Sequence, residues 1–337
     1  MKVEIRERLQ SWLRAQGVID STTLSVTTLA GGQSNPTYLL TSGDQQFVLR
    51  KQPDGPLLKS AHAIDREYRV ISALQNSTVP VPKAIAWCDD PSLVGTPFYL
   101  MSFLDGRVLV DQSLPSFSVA EREEVYREMN RVIAALHQID PDAVGLSDYG
   151  RHEGFIARQV DRWSRNLQNS TLSLSDDMRF MMEWLPSHLP QESRSVLIHG
   201  DYRLDNLIFD AHELRVIGVL DWELSTLGDP ISDFAYPCMS WHIPHDLWHG
   251  IGGVDLRKLG IPDETTYRQW YARHSGQDVS VDETTWRFYL GFNLFRMAAI
   301  LHGIAERAQQ GNANAADAIE TGNKAAPLAK LARRIVS

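Results

Sequence analysis

The spacing of apolar residues changes about a third of the way along the chain. Residues 1–16 mix Lys, Glu and Arg with Val3, Ile5, Leu9, Trp12 and Leu13, the pattern of an amphipathic helix. Residues 24–29 are rich in Thr and Val and predict a strand, followed by the Gly31-Gly32-Gln33-Ser34-Asn35-Pro36 turn and a second strand over 37–40. Ser42-Gly43-Asp44 then turns the chain into a third strand over 46–51, so the three form an antiparallel meander. Residues 60–75 return to helical spacing, with Ile64, Tyr68, Ile71 and Leu74 on one face. Residues 79–88 read as extended, 98–103 as a compact apolar strand, and Asp105-Gly106 as a linker. Beyond it, helical spacing dominates over 118–139, 154–166, 175–185 and 284–309, broken by one β-like segment at 196–221.

Composition narrows the classes. The 337 residues are 43 % hydrophobic and 22 % charged, enough for a substantial core in two domains or two lobes. A formal net charge of −9 argues against a nucleic-acid partner, which would need clustered Lys and Arg. The two cysteines, Cys88 and Cys238, lie far apart and form no Cys-x-x-Cys pair, so a reducing, cytoplasmic setting is expected. No signal-peptide core is evident, and apolar stretches such as 297–300 fall short of a membrane span. A soluble protein with no membrane partner is the expectation.

The chemistry concentrates in Ile198-His199-Gly200-Asp201-Tyr202-Arg203-Leu204-Asp205-Asn206-Leu207-Ile208. Phosphoryl transfer needs a carboxylate beside the attacking hydroxyl and an amide oxygen able to reach magnesium, and Asp201 and Asn206 stand five positions apart. A second β run, 214–220, ends at Asp221, and a hairpin would return that carboxylate beside Asn206 to complete an Mg²⁺ site. Taken singly, each of these residues is explained as an N-cap or turn residue; the spaced set is not.

The 31–35 loop suits either a phosphate cradle, with Ser34 as a hydroxyl donor, or a plain hairpin turn. On the third strand Val48 and Arg50 share one face and Leu49 and Lys51 the other, so one cation should face phosphates and the other solvent. Glu67 is either the partner of that cation or an exposed helix charge. The aromatic and His-rich stretch 236–249 suits acceptor-pocket lining as well as ordinary core and surface. A Walker-type phosphate loop and a Gly-x-Ser-x-Gly elbow are absent from the sequence.

Seven ordered stretches, GGQSNPTYLL, FVLRKQP, AHAIDREYRVISAL, VPVPKA, GTPFYLMSFLDGRV, HGDYRLDNLIF and VLDWELSTLGDP, resemble the aminoglycoside phosphotransferase and choline kinase-like small-molecule kinases. The resemblance is greatest to the kinase-like domains related to those fused to acyl-CoA dehydrogenases. It implies Asp201 as catalytic base, Asn206 and Asp221 as magnesium ligands, Arg50 at the place of the phosphate-contacting strand lysine, and Glu67 as its helix partner. Ser34 resembles the phosphate-loop serine, and Ser102 and Leu104 the hinge residues whose backbone meets adenine. Gly228-Asp229-Pro230 and Asp233 resemble a structural motif of the group. The sequence departs from the protein-kinase pattern in its sparser glycine loop and in Arg50 with Lys51 beside it; Arg still binds phosphate through its planar fork.

The expectation is an α+β, bilobal protein-kinase-like fold, with an antiparallel nucleotide-binding lobe over 1–103 and a helical catalytic and acceptor-binding lobe over 104–337. Its activity would be ATP- and magnesium-dependent transfer of the γ-phosphate to a hydroxyl of a small metabolite, such as a hydroxyacyl-CoA or hydroxy acid. A nucleotide-binding pseudokinase, an aminoglycoside kinase, and a hydrolase using His199 and Asp201 as metal ligands are the alternatives.

Overall fold

The computed structural model describes residues 2–29, 35–54, 63–192, 194–276, 281–310 and 318–337. The elements begin with α1 (Val3–Ala15), β1 (Ser25–Thr28), β2 (Thr37–Ser42), β3 (Gln45–Lys51), α2 (Ile64–Leu74), β4 (Ala84–Cys88), α3 (Pro91–Val94), β5 (Phe98–Ser102) and β6 (Gly106–Val108). Three helices follow: α4 (Val119–Leu136), α5 (Phe155–Gln168) and α6 (Asp176–Ser187). The embedded β segment is β7 (Val196–Ile198), β8 (Leu207–Asp210), β9 (Val216–Val219) and β10 (Thr226–Gly228). The chain ends with α7 (Pro230–Cys238), α8 (Leu256–Leu259), α9 (Glu264–Ser275), α10 (Glu283–Gln309), α11 (Ala318–Asn323) and α12 (Ala325–Val336). This is the expected α+β class, with a small antiparallel sheet and a larger helical portion.

Two compact units form: Met1–Arg107 with Asn206–Ser225, and Val108–Asp205 with Thr226–Ser337. In the first, an antiparallel sheet has the order β1-β2-β3-β5-β4, which includes the expected meander. Leu9 and Leu13 of α1 pack with Leu40, Phe47, Leu49, Phe98 and Leu100, and Val94 of α3 joins the same core.

That packing overturns the expectation that one of the two β3 cations faces solvent. β3 lies between β2 and β5, and a central strand covered on both faces buries residues of either parity. Lys51 is 6 % exposed, its Nζ donating to Asp54 Oδ1 at 2.8 Å and to the Val94 carbonyl at 3.1 Å. Its charge is used inside the fold.

The first unit also differs from a single division at 103/104, because it takes up residues 206–225. The β8–β9 hairpin is tied to it by backbone and side-chain bonds that no local pattern reveals. Val219 N–H donates to the Pro80 carbonyl at 2.9 Å, and Arg107 reaches the carbonyls of Asp210 and Glu213, both at 2.9 Å. Gly106, expected in a linker, instead opens β6 of the three-stranded sheet β6-β8-β9. A Cβ at Gly106 would lie 2.3 Å from the Phe209 carbonyl oxygen and 2.5 Å from Ile208 Cγ2, so the strands approach only because that residue has no side chain.

The second unit is built of capped helices. Ser118 and Glu121 form a reciprocal capping box at the start of α4. Asp229 caps α7 by accepting from Ser232 N–H at 2.9 Å, with Pro230 at the first helical position, where its missing N–H costs nothing. Contrary to the expectation of short apolar runs, α10 is long and apolar enough to cross a membrane. However, 78 % of its most apolar window is buried inside the fold, so it reads as a core helix.

One turn into α7, Asp233 is 3 % exposed and receives three bonds. The backbone N–H groups of His199 and Gly200 donate to it at 2.9 and 2.8 Å, and His137 Nε2 lies 3.1 Å away. Burial opposes ionisation, yet the bond and charge of His137, with His199, hold this carboxyl below the ordinary range. The segment leading to Asp201 is thus pinned to the buried start of a helix.

Two outcomes follow. Gly106→Ala is expected to lower unfolding free energy by roughly 1–3 kcal/mol, the usual scale of overpacking; an unchanged urea midpoint would refute the close-approach argument. Because its folded pKa is depressed, Asp233 contributes stability that is present above the unfolded carboxylate pKa of about 3.9 and is lost as pH falls through the folded value. Asp233→Asn should therefore cost roughly 3–5 kcal/mol at pH 7, as when a buried charge network is broken. The gap from wild type should close in denaturation curves taken below about pH 4; a gap independent of pH would exclude an ionised Asp233.

Candidate active site

In the first unit, Arg50 of β3 stands directly across from Tyr99 of β5, so their side chains leave the sheet on one face. Both meet Glu67, which α2 presents among the apolar residues Ile64, Val70, Ile71 and Leu74. Arg50 Nε lies 2.9 Å from Glu67 Oε2, the Tyr99 hydroxyl donates to the same oxygen at 2.9 Å, and Asn35 Nδ2 donates to Oε1 at 3.1 Å. Glu67, 1 % exposed, is therefore a buried, bonded carboxylate rather than a surface helix charge. Burial raises its pKa despite the opposing pull of Arg50. For Arg50, burial favours the neutral form, but Glu67, Tyr99 and Asp221 outweigh it and hold the guanidinium charged.

The same guanidinium reaches the β8–β9 hairpin, where Arg50 Nη2 donates to Asp221 Oδ1 at 3.0 Å. β8 and β9 pair from Leu207↔Val219, and Leu220 N–H donates to the Asn206 carbonyl at 2.9 Å. The hairpin expected from the sequence thus brings the Asp221 and Asn206 backbones together. Asp221 has φ 63°, in the left-handed region that few residues with side chains adopt and that Asp enters more readily than most. Ligand oxygens of Glu67, Asp221 and Glu223 all lie within 4.8 Å of one another. An all-oxygen set with partly exposed carboxylates suits a hard divalent cation such as magnesium, which keeps several non-protein ligands. Asp221, Asn206 and Glu223 are the residues that would hold it, since Glu67 is occupied by Arg50, Tyr99 and Asn35.

The second unit carries Asp201. Its carboxylate accepts from the Tyr236 hydroxyl at 2.5 Å, and Arg203 Nε lies 3.4 Å from the same oxygen, Oδ1. His199 is fully buried, and its Nδ1 faces the Asp201 N–H at 3.2 Å. Among the described residues, His199 and Asp201 belong to no group of three side chains placed to hold a metal, as the hydrolase alternative would need. Along 236–249, both readings are partly met. Trp241 Nε1 is tied to the Pro262 carbonyl at 2.8 Å and His242 pairs with Glu264 at 3.0 Å. Tyr236, Trp248 and His249 instead line a small cavity of about 30 Å³ with Arg203, Met129 and Met239.

Of the remaining expected residues, Ser34 lies outside the described residues. Ser102 is engaged with Lys83, its N–H donating to the Lys83 carbonyl and its hydroxyl accepting from Lys83 N–H, both at 2.9 Å. That N–H is therefore already used. Leu104 lies over Gly218, where a Cβ would come within 2.3 Å of Leu104 Cδ1. Sequence reasoning missed Asn35, Tyr99, Glu223 and Tyr236 as neighbours of the key carboxylates. The Asp221-Trp222-Glu223 spacing was the one visible signal; the others depend on pairing distant in sequence.

Residues 25–274 match the family model described as "Phosphotransferase enzyme family". The chain is 44 % identical over 303 residues to mouse acyl-CoA dehydrogenase family member 10, and 39 % identical over 320 residues to rat acyl-CoA dehydrogenase family member 11. These alignments take in 89 % and 93 % of this chain but only 28 % and 41 % of those longer proteins. Among solved structures, a Ralstonia eutropha protein named as a candidate aminoglycoside phosphotransferase superposes with a TM-score of 0.89 at 46 % identity, covering 98 % of this chain and 97 % of the other. Plasmodium vivax ethanolamine kinase, at 13 % identity and a TM-score of 0.59 over 91 % of this chain and 81 % of its own, shares the fold. With a match over most of its length and this arrangement of carboxylates and guanidinium, the chain belongs to the phosphotransferase enzyme family.

Proposed function

We propose that this chain transfers the γ-phosphoryl group of ATP to a hydroxyl of a small metabolite, with magnesium. The observation that carries the reading is the Arg50 guanidinium held between buried Glu67 and Asp221. A fixed guanidinium next to a metal-competent carboxylate recognises phosphate oxygens without reorganising. When bound, magnesium would neutralise charge on those oxygens; Asn206, Asp221 and Glu223 would supply its protein ligands. Asp201 orients the acceptor hydroxyl and accepts its proton. The transition state is loose, so positioning contributes more than proton abstraction. The backbone at Leu104 is the adenine contact in this reading, and Ser34 contacts phosphate.

We assign the acceptor to the hydroxyacyl-CoA or hydroxy-acid class. The support is the similarity to relatives named for acyl-CoA dehydrogenation. An aminoglycoside site would need a carboxylate patch, and two candidates are already committed: Asp229 caps α7 and Asp233 holds the 199–200 backbone.

Mg-ATP at about 100 times its dissociation constant should stabilise the protein by roughly 2.7 kcal/mol, a Tm rise of several degrees. Asp221→Ala should remove the magnesium-dependent part of that rise. No shift with any nucleotide and metal would rule out the nucleotide site. Asp201→Asn should keep the shift while lowering kcat by about two to four decades. In an ADP-release panel, hydroxyacyl-CoAs should exceed aminoglycosides, choline and homoserine in kcat/KM. An aminoglycoside ranking first would reject the acceptor class but leave the kinase reading standing.

A further inference from the structure

We propose that Tyr236 is the positioning residue of this site, fixing the Asp201 carboxylate through its hydroxyl and so setting where the acceptor hydroxyl must sit. The inference rests on the reading of Asp201 as the acceptor-orienting carboxylate.

Tyr236 comes from α7, the same helix whose Asp233 holds the backbone of His199 and Gly200. One helix therefore grips both the backbone before Asp201 and the Asp201 side chain. The phenol is 2 % exposed, and burial followed by the Asp201 charge pushes its pKa well above the ordinary tyrosine value, so it donates rather than ionises. Its ring is held in turn: the Arg296 guanidinium of α10 lies 5.3 Å from the ring centroid and donates to the Gly200 carbonyl at 2.5 Å. α10 thus braces the donor and the loop bearing its acceptor with one side chain.

A hydrogen bond to one carboxylate oxygen removes the rotation of the Asp201 side chain about its last bond, which fixes the direction of the other oxygen. Phosphoryl transfer is sensitive to that direction, because a misplacement on the ångström scale is costly even when the chemistry is unchanged. Arg203 also approaches Oδ1, at 3.4 Å, but it is shared with Asp205 at 3.0 Å. The other charged or titratable groups around this pair are His199, His249 and Arg296. The Tyr236 hydroxyl makes the shorter contact to Oδ1 of the two.

Tyr236→Phe keeps the ring packing and deletes the donor. ADP release from Mg-ATP is measured with water as acceptor and with 3-hydroxybutyryl-CoA, in wild type, Tyr236→Phe, Asp201→Asn and the double variant. The expected result is a fall in kcat of about ten- to a hundredfold for Tyr236→Phe, the scale of one charge-assisted hydrogen bond, with the KM for ATP unchanged. In the Asp201→Asn background the second substitution should change nothing further, because it acts through a carboxylate already removed. Losses that multiply in the double variant, or a Tyr236→Phe enzyme with full kcat, overturn the proposal. Full turnover of Asp201→Asn overturns instead the role of Asp201. A Tyr236→Phe loss that follows its Tm, and is recovered on cooling, marks a merely structural residue and also overturns the proposal.

Discussion

A carboxylate cut off from water must be met by donors or be expelled, and in this protein that requirement is met by backbone. Asp233 has no solvent to turn to, so the N–H groups of His199 and Gly200 must point at it. Those groups belong to the segment that delivers Asp201. The loop that bears Asp201 is thereby held by the interior rather than by its own turn propensity. The positive φ of Gly200, 83°, shows the bend this imposes, one residue before Asp201. Phe234, next along α7, stacks on Tyr271 at 3.9 Å between centroids, while Tyr271 in turn reaches His137 Nδ1 at 2.6 Å. The charge is enclosed in a packed aromatic shell, which keeps water from competing for its bonds.

The first unit faces a different problem, because it gathers several carboxylates at one place. Glu67, Asp221 and Glu223 bring their oxygens close together, and Arg50 pairs with the first two. Carboxylates at such a site would repel a polyphosphate, while Arg50, held by Glu67 and Asp221, would attract one. The two facts are compatible if a divalent cation joins the phosphate, supplying the charge the protein withholds. Glu67 then serves to hold Arg50 in place rather than to bind the ion, and Tyr99 and Asn35 hold Glu67. This hierarchy of supports is what separates a positioned cation from one on a flexible surface stem.

The sequence was most legible where structure is local. Asp201 and Asn206 are five residues apart, and the hairpin that returns Asp221 spans one short β segment, so the spacing and alternation carry most of the information. Legibility failed where partners are remote. Nothing near Glu67 in the sequence tells a buried ion pair from a solvated helix charge; that is decided by Arg50 and Tyr99 lying opposite each other on β3 and β5. Lys51 was misread because alternation predicts a solvent face only for a half-covered strand, and β3 is covered on both sides. Gly106 looked like a linker because a residue without a side chain signals either a turn or a close approach, and only the neighbouring Phe209 carbonyl settles which. The affiliation of residues 206–225 with the first unit is a further nonlocal fact, carried by bonds to Pro80 and Arg107.

The comparisons add a constraint on what can be carried across. The curated relatives are more than twice as long as the segments they share with this chain, so their names describe assemblies of which these residues are one part. What the shared segment can transmit is the chemistry of its own side chains, and in the first unit these are the carboxylates of Glu67, Asp221 and Glu223 with the Arg50 guanidinium. Both cysteines are buried and unpaired, which leaves them as packing residues. Group transfer is the chemistry that the family match places on this segment, over residues 25–274.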